Sequence, residues 1–159
     1  MKRWNNKLLI LMVVIAPILF RVPSLVTEHY RIKRVAQALK QYDQSAALAS
    51  AGHYKEAIPG FTDVIKVMPD FTPAHSQLAD CLFEVGDNEG AKREYQIVIQ
   101  SDPVTHRSVY YYLGNIAAKQ GNIKEARHDW KMVQSMPAEF LAEKEMVRMA
   151  SEKLAQYPK

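Results

Sequence analysis

The sequence predicts an all-α protein. An N-terminal membrane-anchor helix leads into three stacked helix–turn–helix hairpins, and a C-terminal helix caps the stack. Three observations predict this. A pattern of Gly, Ala, aromatic and Pro residues recurs about every 34 residues, the signature of a helical-hairpin repeat. No Gly or Pro interrupts the chain between Ser24 and Ala51, so that stretch reads as one long helix. The first residues pair a positive flank with an uninterrupted apolar run.

The N-terminal arm comes first. Lys2, Arg3 and Lys7 precede an apolar run from Leu8 to Phe20, and apolar character resumes after Arg21 through Val26. A spanning helix needs about 20 residues. Residues 8–26 reach that length if Arg21 extends its charge to the headgroups. Residues 1–26 are therefore read as an uncleaved signal anchor. A cleaved secretory signal and a buried structural helix are the alternatives. The positive flank keeps the N-terminus in the cytoplasm and sends the rest across a bacterial inner membrane, so the repeats are expected in the periplasm. Arg31, Lys33, Arg34 and Lys40 pull the other way, which leaves a cytoplasm-facing domain as the competing orientation. Residues 27–37 form a helical linker, with Ser24 or Thr27 as the cap of a new helix. Tyr30, Arg31, Lys33 and Arg34 suit either a headgroup layer or a solvated face.

The hairpins follow. Gly52, Ala57, Phe61 and Pro69 mark the first; Gly86, Ala91, Tyr95 and Pro103 the second; Gly121, Ala126, Trp130 and Pro137 the third. Each residue has a job. The Gly ends a helix where positive φ is needed. The Ala lets two helices approach, and the aromatic four residues on shares its face and fills the space beside it. The Pro stops the second helix. Gly86 and Gly121 are one residue further apart than Gly52 and Gly86, and the linker 101–106 is assigned the extra residue. Pro59 falls inside a helix, where it costs a hydrogen bond. Ala46, Ala47 and Leu48 are assigned to the close-packed face of the first hairpin.

These residues resemble the tetratricopeptide repeat. Gly52, Tyr54, Ala57, Phe61 and Pro69 match its pattern in the first copy. Leu78, Gly86, Ala91, Tyr95 and Pro103 match in the second, and Leu113, Gly114, Gly121, Ala126 and Trp130 in the third. The resemblance implies a right-handed superhelix of three repeats, 38–71, 72–106 and 107–137. Residues 138–159 then form the cap, with Phe140, Val147, Ala150 and Leu154 near one face.

Composition narrows the function. Residues 1–40 hold eight basic side chains against Glu28 alone, so the basic character sits in the arm and the repeats are mildly acidic. That argues against nucleic acid as a partner. Cys81 is the one cysteine and reads as a small buried hydrophobe. The five histidines are scattered, and none makes a His-Glu-x-x-His metal pattern. No nucleophile–base pair or phosphate-cradling loop is present, so no enzymatic activity, cofactor, metal or small-molecule substrate is expected.

What remains is a protein that binds proteins. The resemblance implies that the first helix of each hairpin presents a groove, which carries over here to Tyr42, Gln77, Asp80, Phe83, Tyr111, Tyr112, Asn115 and Lys119. Tyr is favoured at such surfaces. Some members clamp a peptide's terminal carboxylate there; the matching positions are Tyr42, Ala46, Gln77, Ser108 and Tyr112, which lack the cations. The expected role is a scaffold or assembly factor tethered to the membrane, its partners the subunits of a membrane complex. The alternative is a permanent accessory subunit of such a complex.

Overall fold

The computed structural model describes residues 16–102 and 106–158. Among them are seven helices and no strand. They are α1 (Ala16–Ser50), α2 (Tyr54–Val67), α3 (Thr72–Glu84), α4 (Asn88–Ser101), α5 (Arg107–Lys119), α6 (Ile123–Ser135) and α7 (Leu141–Gln156). Successive pairs α1–α2, α3–α4 and α5–α6 form the hairpins, and α7 lies against α6 and α5.

The three hairpin turns are built alike. Gly52, Gly86 and Gly121 adopt φ of 81°, 89° and 79°. Beyond each, the next amide reaches back to a carbonyl in the last turn: His53 N to Leu48 O, Asp87 N to Leu82 O and Asn122 N to Ala117 O, each at 2.9 Å. The glycine amides bond Ala49, Phe83 and Ala118. Two orphan carbonyls are satisfied per turn, in a conformation that a Cβ would strain. The following helix starts with a capping side chain in two cases. Asp87 accepts from Gly90 N, and Asn122 accepts from Glu125 N.

Packing follows the periodic residues. Ala57, Ala91 and Ala126 are fully buried, as are Phe61, Tyr95 and Trp130 four residues on. Burying one such side chain contributes about 1.5–3 kcal/mol. Two close approaches use glycine. A Cβ at Gly60 would lie 2.0 Å from Ser45 Oγ, and one at Gly114 would lie 2.5 Å from Trp130 Nε1. The core runs as three clusters, each spanning neighbouring helices: Ala57, Phe61, Leu78 and Cys81; then Ala79, Tyr95, Val98, Val109 and Ile116; then Tyr110, Trp130, Val133 and Ala150.

Several expectations change. The anchor was placed on residues 1–26. Residues 1–15 lie outside the described residues, and among the described residues no helix is long and apolar enough to cross a membrane. No helix starts at Ser24 or Thr27; α1 is already helical from Ala16 and passes through Pro23. Proline's own φ is helical, so only the bond to the Leu19 carbonyl is lost. As expected, Pro59 lies inside α2, and it is exposed, so water can satisfy the freed carbonyl. Ala47 is exposed, and the tight α1–α2 contact is Ser45 on Gly60. Phe140 precedes α7 and is 70% exposed. Val147, Ala150 and Leu154 do join the core of the third hairpin, together with Met146 and Met149. Pro103 lies outside the described residues.

Candidate functional site

The first helices of the hairpins, α1, α3 and α5, carry all eight carried-over residues. The structure gathers most of them into two hollows. Tyr42 and Gln77 line the first, with Thr72, Ser76, Ser101 and His106, around a volume of about 640 Å³. Tyr42 is half-buried, its ring edge-on to Phe61 at 5.7 Å and to Phe71 at 5.3 Å. Gln77 stands partly open beside it.

The second hollow lies between α5 and the end of α7, with a volume of about 240 Å³. Phe83, Tyr111, Asn115 and Lys119 line it together with Trp130, Lys153 and Tyr157. Lys119 Nζ sits 4.4 Å above the Phe83 ring, a cation–π contact. Tyr111 is 8% exposed. It belongs to the core of the third hairpin and shows the hollow little more than an edge.

Asp80 and Tyr112 line neither hollow and are engaged with Tyr95. The Tyr95 hydroxyl donates to Asp80 Oδ1 at 2.6 Å, and the Tyr112 ring stacks on Tyr95 with centroids 5.7 Å apart. Burial raises the Asp80 carboxyl above its usual range, the Tyr95 bond opposes this, and Glu84 adds to it. Burial also raises the Tyr112 hydroxyl, followed by the charges of Asp80 and Glu84. The buried Cys81 thiol is pushed up to about 11, first by desolvation and then by the same two carboxylates. A neutral thiol is a poor nucleophile.

Sequence reasoning missed Arg107. Its guanidinium is buried and donates to the carbonyls of Val133, Met136 and Pro137, with Glu143 3.6 Å away. It ties the start of α5 to the end of α6. Arg127 does the same for the far end of α7 by donating to the carbonyls of Leu154 and Tyr157. A buried Arg shows no periodic signal, and carbonyl acceptors leave none in sequence. His75 was also missed as a structural residue. Its two ring nitrogens face Glu94 Oε2 at 2.6 Å and Pro69 O at 2.8 Å. Among the described residues no three His, Cys, Asp or Glu side chains converge as metal ligands would.

Residues 48–108 match the family model for the tetratricopeptide repeat. The fold is that of the tetratricopeptide repeat. The type III secretion chaperone SycD of Yersinia enterocolitica, solved with a peptide of the translocator YopD, superposes with a TM-score of 0.70 at 16% identity. The match covers 77% of this chain and 92% of that one. The second TPR of Spaghetti (RPAP3), bound to an HSP90 peptide, gives a TM-score of 0.61 at 18% identity over 69% of this chain and 99% of that one. MamA gives 0.62 at 17% identity over 74% of this chain and 68% of that one. No curated relative matches the sequence. In repeat terms, Ala57, Ala91 and Ala126 with their aromatics are the packing positions, and the two hollows lie along the first helices of successive repeats.

Proposed function

We propose that this chain is a non-enzymatic scaffold that grips a segment of another protein along α1, α3 and α5. One observation carries the reading. Side chains from the first helices of all three repeats line two neighbouring hollows, with Tyr42 and Phe83 half-exposed in them. Aromatic rings on a rigid helical frame bind at low entropic cost. Solved chains of this fold hold peptides: SycD a peptide of YopD, and the second TPR of RPAP3 an HSP90 peptide.

The test is site-specific photo-crosslinking in cells. A photoreactive residue at Gln77, inside the first hollow, is expected to trap a defined partner. The same residue at Ile97, which is exposed on α4 and lines neither hollow, is expected to trap none. Equal yields from both positions would end the proposal.

The same reading places the scaffold at the bacterial inner membrane, held by residues 8–26 with the repeats in the periplasm. Its support is the positive flank and apolar run of the sequence. Protease added to sealed vesicles from the cytoplasmic side should leave the repeats intact; their digestion would reverse the orientation. One observation favours the accessory-subunit variant. Ile32 and Leu39, which share one face of α1, are 59% and 42% exposed, a surface that a neighbouring subunit would cover. Extraction in mild detergent at fixed stoichiometry would select that variant over a scaffold with changing clients.

A further inference from the structure

The hollow between α5 and α7 differs in chemistry from the rest of the repeat surface. Lys119 and Lys153 both open onto it, and none of its lining side chains is acidic. Neither ammonium belongs to a salt bridge among the described residues, although the repeats as a whole carry more acidic than basic side chains. The walls between the two cations are the rings of Phe83, Tyr111 and Tyr157. Asn115 Oδ1, also on the wall, is buried without a hydrogen-bond donor.

The pocket is held in shape before any ligand arrives. Arg127 pins the last turn of α7 by its Leu154 and Tyr157 carbonyls, and the Tyr157 ring packs on Trp130 with centroids 5.7 Å apart. Its α7 wall lies outside the positions where the family's carboxylate clamp would fall, namely Tyr42, Ala46, Gln77, Ser108 and Tyr112.

We propose that this pocket receives a carboxylate of the bound polypeptide, flanked by apolar side chains. The two ammonium groups bind the carboxylate, and the rings cover its neighbours. The carboxylate is an Asp or Glu side chain or a chain terminus, and the volume of about 240 Å³ suits one residue. The inference rests on the reading that the chain grips polypeptides on this face.

The experiment is a random-sequence peptide array. Every peptide is displayed both with a free C-terminus and as the amide, and the array is probed with fluorescently labelled full-length chain in detergent. Bound peptides should be enriched in Asp, Glu or free termini, and the amidated arm tells terminal from side-chain carboxylates. The double variant Lys119→Gln, Lys153→Gln should lower the preference for carboxylate-bearing peptides over carboxylate-free ones about fivefold or more. Its affinity for amidated peptides that lack Asp and Glu should be unchanged. Acid preference that survives the double variant would overturn the assignment, as would retention of peptides with no acid preference, which leaves the wider reading intact. An array that retains nothing would sink both.

Discussion

Asp80 shows how a residue expected on a binding surface comes to serve the interior. It accepts the Tyr95 hydroxyl, and burial raises its carboxyl above the usual range. A carboxyl so raised favours the fold when protonated, and that contribution is lost as pH rises through the folded-state value. Asp80→Asn keeps the acceptor and removes the charge. Its melting temperature should exceed that of the parent at pH 7, and the gap should close below about pH 4, where the parent carboxyl is protonated in both states. A gap that is constant across pH would contradict this. Tyr111 was legible as an aromatic on α5, but its burial was not. In the run Tyr110-Tyr111-Tyr112, which rings face inward depends on where α6 and α7 lie, and periodicity within one helix does not contain that. Gln77, Asn115 and Lys119 are the safer probes of the surface, since Tyr111→Ala would also open a core cavity.

At the scale of the helices, the hairpins were legible because their cause is local. A glycine with positive φ, an alanine five residues on and an aromatic four further each answer a constraint inside one repeat. Gly86→Ala should therefore cost about 1–2 kcal/mol through backbone strain alone, because no atom lies within 4 Å of the added Cβ. Denaturant unfolding measures this, and the same substitution at Gly52 or Gly121 should cost a similar amount. The start of α1 and the anchoring of α7 were less legible. Ser24 or Thr27 reads as the cap of a new helix, yet the backbone is already helical from Ala16. The α7 junction rests on Arg107, which reaches three carbonyls some thirty residues away. Arg107→Ala should cost about 2–3 kcal/mol through the orphaned carbonyls, and amide exchange in α7 should speed up more than in α3. Uniform acceleration along the chain would argue that Arg107 has no such local role.

Over the whole molecule, stability in stacked repeats sums local units and their interfaces. The slightest of the successive contacts is that between α4 and α5, next to the linker that carries the extra residue. Lys92 of α4 pairs with Glu125 of α6 at 2.9 Å, and Gln120, just past α5, donates to Glu89 of α4 at 2.5 Å. Residues of the first helices line both hollows, and the second helices keep the frame. The central claim is that partners bind the first helices. Amide hydrogen exchange on the full chain, alone and with the partner trapped from Gln77, tests it most directly. Slowed exchange concentrated in α3 and α5, with α4 and α6 unchanged, is the predicted result. Slowing confined to α4 and α6 would place the partner on the other face and contradict the claim.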